Sequence, residues 1–509
     1  MQKLVRTGLV LAAAVSSLAF AAQPGAAPGE LTGAAAAATS CRYPLADDNR
    51  PVAPPDAPAE RASFTDPTAA TSRGQFVRVS HNVYIAPFAR LEAQSRENGI
   101  CIEEAANVQD NTLLKANGGP VDVGAHAIVA HGAEMIGAGT AVSIAHRDAC
   151  PLPPAGTDPN TLTRLPGESA GAFAERRGRQ ALANALDGAG ADYGCDEVPA
   201  FIGFNALNES AISDGSLLAA ASRLARGVVL RPGYSSYPGK SLNSQAEADS
   251  PGPFNTNKVR FVNAGDIVFM EAVVHVNECL AKGYTLQYRD TARAVHPFGG
   301  PQSIHGIGID PGSYHRCAFN KDSERPTIGY TQPPPRPRDP SLAVSDPNPA
   351  KKIRIIGDVR LGDIDKIQDH TSIRADEGEP FGFGRRVDWE FGTTFHALEP
   401  EEEGDIREII VEDDVKIGRR AVIHGGGRLT RFGGFGDEPT ELHAGVVIGE
   451  ESVVFRSDVG LGTRVGKKAV LVGWTNERPG GVLTETSVPD RCVKFEDTPP
   501  GECAYFVEW

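Results

Sequence analysis

The sequence predicts an all-β protein built of two parallel β-solenoids in tandem, and three observations carry that reading. Short β-branched segments, often followed by Gly, recur at six-residue steps in two tracts, about 75–235 and 350–475. Gly 56 and Pro 38 together make about 18% of the 509 residues, against about 12% in an average protein, while aromatics are only 7%. A single stretch between the tracts has clear helical spacing. One apolar residue per six points inward from each short strand, and a small residue lets the chain turn the corner. A lone coil cannot bury that face, so stacking of coils supplies the core. An antiparallel sandwich is the competing architecture for many short strands.

Along the chain, Met1 to Ala21 reads as a secretory signal. Lys3 and Arg6 form its positive end, Leu9 to Val15 its apolar run, and Ala19-Phe20-Ala21 a small-residue cleavage site. The run is too short to span a bilayer, so no membrane anchor is expected and the protein is placed outside the cell, in the periplasm or in the cell envelope. Residues 22–63, rich in Ala, Pro and Gly, read as a linker or disordered lead-in. The first solenoid is placed at 64–290. Val123-Gly124, Val129-Ala130 and Met135 show its step. Residues 151–194 interrupt it, with an Ala-rich centre, Ala170 to Leu186, expected to be a helix on a loop excursion. Ala264 to Tyr284, with apolar residues at helical spacing, is expected as a helix. Residues 291–344 form a linker, semi-rigid at Gln332-Pro-Pro-Pro-Arg-Pro-Arg-Asp-Pro340. The second solenoid, 345–509, shows the step at Ile356-Gly357, Leu361-Gly362, Ile417-Gly418, Ile448-Gly449, Val459-Gly460 and Val465-Gly466, and ends in a C-terminal extension.

Hydrophobic residues at 40% and charged residues at 23% exclude wholesale disorder. A net charge of -15 speaks against nucleic acid or an anionic membrane as partner, since both need clustered Lys and Arg. The eight cysteines, an even number behind a signal peptide, favour disulfides over thiol catalysis. Cys492–Cys503 would close a short C-terminal loop, and Cys150–Cys195 would staple the base of the insertion. No CxxC is present, which argues against a Cys-based zinc site.

In the second half, Ser372-Ile-Arg374-Ala-Asp376-Glu377-Gly precedes Phe395-His396-Ala-Leu-Glu399 and then Ala421-Val-Ile-His424-Gly. In this order on a six-residue solenoid, these segments resemble the gamma-class carbonic anhydrases. The first half resembles the same family through Asn82-Val-Tyr-Ile-Ala-Pro-Phe-Ala89, Asn107-Val-Gln109-Asp110 and Ser244-Gln-Ala-Glu-Ala-Asp249. The resemblance implies two divergent tandem copies of a left-handed parallel β-helix, the first followed by a helix. It also implies a homo-oligomer with three-fold packing, and a metal site at the interface between neighbouring β-helices, two histidines from one and a third from the next. Such a site has its own physical logic: three neutral imidazoles leave an open position on zinc, and water there ionises near neutral pH.

Neither half keeps the whole set. The second half has Arg374, Asp376, His396 and His424, but Arg419 stands where the family has its other histidine, and Glu390-Phe391 replaces the Gln-Asp corner. The first half has Glu92, Gln94, Lys115 and Ile136 at the positions of the pair and the two histidines, yet it keeps Gln109, Asp110 and His131. A complete site therefore needs unlike halves, with His396 and His424 from one and His131 from the other. His146 is the alternative to His131. Carried over residue by residue, the resemblance makes Arg374 and Asp376 an ion pair bracing the interface. It makes Gln109 a hydrogen-bond partner of the metal-bound water, and Glu377 and Glu399 proton shuttles. Zinc is the implied metal, with iron and cobalt also suited to imidazole. The function expected is reversible hydration of CO2 to bicarbonate. Two other functions fit the same coils: a non-catalytic β-helix scaffold that has shed its ligands, and a hexapeptide-repeat acyltransferase.

Overall fold

The computed structural model describes residues 43–44, 63–66, 68–145, 150–191, 198–289, 327–328, 353–357, 359–362, 366–375, 381–397, 409–425, 439–473 and 481–509. Within them the chain winds twice into a three-sided stack of short strands. In the first stack, sheet A runs from Tyr43–Pro44 through Val77–Val79 and Val121–Val123 to Val229–Leu230. Sheet B runs from Phe64–Thr65 through Asn107–Val108 and Ala127–Val129 to Val259–Phe261, and sheet C from Ala70–Ser72 to Ser241–Leu242. The second stack repeats the plan. Sheet D runs from Thr327–Ile328 to Asp458–Val459, sheet E from Arg354–Gly357 to Tyr505–Phe506, and sheet F from Asp388–Trp389 to Ser487–Val488. Apart from the antiparallel end strands Tyr43–Pro44, Val259–Phe261 and Tyr505–Phe506, the strands pair in parallel with those one coil before and after, as Val121–Val123 does with Ile100–Ile102 and Val142–Ile144. The fold is a pair of parallel β-helices.

The six-residue step explains why. Val123, Val129 and Met135 are fully buried on three successive faces of one coil, each filling the middle of the triangle. Ile417, Ile448, Val465 and Val488 form one inward column of sheet F in the second stack. At the corners the coils stack almost backbone on backbone. A Cβ built on Gly124 would lie 1.6 Å from the Ala145 carbonyl oxygen of the next coil, so only glycine fits there.

Among the described residues, three α-helices depart from the coils. The insertion forms helix α1 (Ala170–Ala189), capped by the Ser169 side chain, which accepts from the Ala172 N–H at 3.0 Å, and ended by the left-handed Gly190. Short α2 (Gln245–Ala248) carries a Ser244/Glu247 capping box at the exit of the first stack. Helix α3 (Ala264–Arg289) extends past the 264–284 expected for it and lies on sheet B near Phe64–Thr65, Tyr84–Ile85 and Ala127–Val129, with α1 packed on it. No helix among the described residues is long and apolar enough to cross a membrane.

Two segments expected as linker instead carry strand. Tyr43–Pro44 pairs antiparallel with Arg78–Val79, and Thr327–Ile328 joins sheet D beside Arg360–Leu361. Cys492–Cys503 is a disulfide with Cα atoms 5.4 Å apart. Cys150 and Cys101 are also disulfide-bonded; Cys195, the partner expected for Cys150, lies outside the described residues, as does segment 1–21, expected as a secretory signal.

The two stacks meet along sheets B and E. Ile128, Phe201 and Leu217 from sheet B, Ile267, Met270 and Val273 from α3, and Val422, Val453, Val470 and Val493 from sheet E form one buried apolar cluster between them. A buried Asp66–Arg354 pair at 2.9 Å joins the stacks at one level. Asn111 donates to Thr394 Oγ1 at 2.9 Å at the next, and Asn205 donates to the Arg420 and Glu451 carbonyls at 3.1 Å further on. Gly124→Ala is expected to lower stability by about 2–3 kcal/mol, because the coil must open to admit a methyl group. The urea-unfolding midpoint measures it.

Candidate metal centre

Three histidines converge where sheets B and E face each other. His396 ends the strand Thr394–His396 and His424 ends Val422–His424; the parallel register sets them directly opposite on neighbouring coils of sheet E. His131 follows Ala127–Val129 at a corner of the first stack and reaches across the interface. All three are buried, at 0%, 1% and 3% exposure. One ring nitrogen from each lies within 4.8 Å of the others. His131 Nε2 and His396 Nδ1 are 3.1 Å apart, inside the about 4.2 Å that two metal–nitrogen bonds of about 2.1 Å can span.

Two of the rings are oriented from behind. His131 Nδ1 lies 3.0 Å from Asp110 Oδ2, so it donates there and leaves the Nε2 lone pair facing the other histidines. His424 Nδ1 donates to the Gly425 carbonyl at 2.7 Å and frees its Nε2 likewise. A carboxylate or carbonyl behind a ligating imidazole fixes its tautomer and raises its basicity. Aromatic rings wall the cluster: Phe204 stacks on His131 at 5.7 Å and lies 5.0 Å from His424, and Phe455 lies 5.4 Å from His424.

Burial is the main reason that His396 is held well below its ordinary pKa of 6.5, with the Arg374 charge adding to it. Burial does the same to His424, helped by His131 and opposed by the Gly425 carbonyl. Both rings are neutral at neutral pH, as ligands must be. For Asp110, burial alone would raise the carboxyl; Arg374, His131 and Ser372 overcome it and hold the group well below the usual carboxylate range.

Asp110 is the residue whose part the sequence reading missed. Its Oδ2 lies 3.1 Å from Arg374 Nη2, Arg374 Nε donates to both its oxygens at 3.2 and 3.1 Å, and Ser372 Oγ donates at 2.5 Å. The reading gave Arg374 to Asp376; Asp376, Glu377 and Glu399 lie outside the described residues, and so does His146. Among the described residues, Arg374 pairs across the interface with the first half. Gln109 is buried at the same corner, one residue before Asp110. Arg419 stands apart from the three histidines, with its side chain 60% exposed and its Nε 4.0 Å from Glu450.

Comparison with known proteins gives the family. A carbonic anhydrase of Methanosarcina thermophila is 30% identical over 197 residues, covering 35% of this chain and 73% of that protein. The chain belongs to the gamma-class carbonic anhydrase family. The carboxysome assembly protein CcmM of Nostoc sp. is 30% identical over 152 residues, covering 28% of this chain and 25% of that protein. No family model matches the chain. The cluster's three imidazoles come from two unlike β-helices of a single chain.

The donor set fits a divalent ion of the zinc, iron or cobalt kind: three imidazoles, two with the second ring nitrogen already committed, and no fourth protein ligand in the cluster among the described residues. Two expectations follow from the buried charges. Asp110→Ala leaves Arg374 buried without this carboxylate and is expected to cost about 3–5 kcal/mol, with Asp110→Asn in between, as read by chemical unfolding. Metal-free protein should also be less stable in acid. The unfolded histidines bind protons near 6.5 while His396 and His424 resist them, so stability is fully present above that pH and is lost as pH falls below it. A second loss begins below the ordinary Asp value of 3.8. Thermal midpoints in chelator between about pH 8 and 4 check the slope; a flat profile would contradict it.

Proposed function

We propose that the chain is an exported carbonic anhydrase that interconverts CO2 and bicarbonate at a metal ion held by His131, His396 and His424. The observation that carries the reading is the convergence of these buried imidazoles from two halves, neither of which has a full set. The disulfides at Cys101, Cys150 and Cys492–Cys503 support an oxidising, extracytoplasmic location.

A divalent ion at this site would supply the Lewis acidity that ionises water near neutral pH and polarises CO2. The chain's own residues do the rest. Asp110 holds the proton on His131 Nδ1, so that its Nε2 stays a donor of electrons, and the Gly425 carbonyl does the same for His424. Phe204 and Phe455 keep one side of the site apolar, which suits a nonpolar substrate such as CO2 and keeps the imidazoles neutral. Gln109, buried beside Asp110, is proposed to orient the reacting water by hydrogen bonding. Glu377 and Glu399 are proposed to pass its proton to bulk solvent, and Asp376 to join Asp110 in bracing Arg374. Because one first-half/second-half interface lies within the chain, the proposed site needs no second copy.

The test is CO2 hydration together with the metal that survives dialysis into metal-free buffer. His131→Ala, His396→Ala and His424→Ala should each lose this tightly held metal. Each should also lose hydration by well over about 100-fold, since even partners behind the ligands cost 10–100-fold. Tight stoichiometric metal persisting in His131→Ala would overturn the divided site. Wild-type protein purified without oxygen that carries no metal and hydrates no CO2 would favour the scaffold reading, to which the carboxysome assembly relative lends weight.

A further inference from the structure

The two histidines of the second stack are set against each other by the parallel register of sheet E, but the register of neither stack sets His131 against them. Asp110 and the Gly425 carbonyl fix which nitrogen of a ring points inward; neither fixes how far His131 stands from His424. The residues placed to do so lie one coil on from His131. The strand Ala200–Ile202 returns after the insertion to pair in parallel with Ala127–Val129. The Phe204-Asn205 corner that follows it stacks on the His131-Gly132 corner. Phe204 and Asn205 are buried, at 7% and 9% exposure.

Phe204 touches a ring from each half. It lies almost parallel to His131, with 8° between the planes and 5.7 Å between centroids, and 5.0 Å from His424 at a tilt of 34°. Phe201 and Phe455 pack on it from two further sides, at 6.3 and 5.7 Å. Rings at such separations hold one another's orientation. Asn205 acts on the main chain. Its N–H donates to the His131 carbonyl at 3.0 Å, and its side-chain amide donates to the Arg420 and Glu451 carbonyls, both at 3.1 Å. Those carbonyls belong to the corners just before Val422–His424 and Val453–Phe455. A side-chain amide has two N–H donors, and here both are used on successive coils of the other stack. Asn205 sits at a φ of 51°, in the left-handed region that asparagine enters more readily than most side chains.

We propose that Phe204 and Asn205 are positioning residues of the divided centre. Asn205 ties the His131 main chain to the coil that carries His424, and Phe204 packs against both of those rings. The inference rests on the reading of the three histidines as metal ligands. It adds what neither stack supplies alone, a link that sets the separation of ligands drawn from different β-helices. Losing a partner behind a ligand costs about 10–100-fold in metal affinity. The competing role for the same contacts is adhesion of the two stacks, with the centre indifferent to them.

Zinc affinity of the full-length protein, read by competition with a chelating dye, separates the two roles. Asn205→Gly keeps the left-handed corner and removes both amide donors, so it should raise the Kd about 10–100-fold. Asn205→Asp keeps the side-chain shape without the donors and should do the same, should the glycine variant fail to fold. Phe204→Leu keeps the burial and loses the stacked ring; it should raise the Kd and shift the visible absorption of the Co2+-loaded protein. Trp509→Phe is the comparison. Trp509 Nε1 donates across the interface to the Ala221 carbonyl at 2.6 Å, one coil beyond Asn205, so this variant should lower Tm and leave the Kd and the Co2+ spectrum unchanged. Wild-type affinity in Asn205→Gly or Asn205→Asp would overturn the positioning role in favour of adhesion. So would a Kd that rises in Trp509→Phe in step with its fall in Tm. Tight metal retained by His131→Ala would instead overturn the divided site on which the inference rests.

Discussion

A buried carboxylate, Asp110, ties the two halves of the molecule together. Its oxygens meet Arg374 and Ser372 from the second stack and His131 from its own. Taking a charge this far from water is costly, and the cost is offset only when the partners are well placed. The same contacts therefore set two things at once. They fix how sheet B sits against sheet E, and they fix which nitrogen of His131 faces the partner histidines. A shift of one coil between the stacks would strand Asp110 and Arg374 together, so the register of the interface and the geometry of the cluster are one constraint.

The apolar surface around that node does the bulk of the adhesion without choosing the alignment. Val422, Val453, Val470 and Val493 project from successive coils of sheet E into the same cluster as Ile128 and Phe201. A ladder of like side chains would tolerate sliding by a whole coil. The directional pairs spaced along it do not: Asp66 with Arg354, Asp110 with Arg374, Asn111 with Thr394, and Asn205 with the Arg420 and Glu451 carbonyls. Hydrophobic burial supplies the attraction, and buried polar groups supply the specificity.

The coils were legible in the sequence because a parallel stack imposes one inward residue at each six-residue step, and Val123, Val129 and Met135 obey it. The helices were legible from Ala-rich and apolar spacing. The mating faces were not. Within a strand such as Val453–Phe455, Val454 enters the coil while Val453 faces the other half, and composition does not tell two valines apart. The strands Tyr43–Pro44 and Thr327–Ile328 are too short to show any period. At the site, the pairing of incomplete halves pointed to His131, His396 and His424 together. The double role of Asp110 escaped because Arg374 lies 264 positions away, and a nearer acid, Asp376, offered a simpler partner. Phe204 carried no motif; only the register of stacked coils brings it to the histidines.

Carrying His131 and the His396/His424 pair on one polypeptide changes the order of the event that builds the centre. Between separate chains, meeting of the two faces is bimolecular and fails as protein becomes scarce. Joined by the intervening segment, the faces see each other at a fixed effective concentration, on the order of millimolar for short flexible tethers. With both faces on one polypeptide, the cluster is insensitive to dilution.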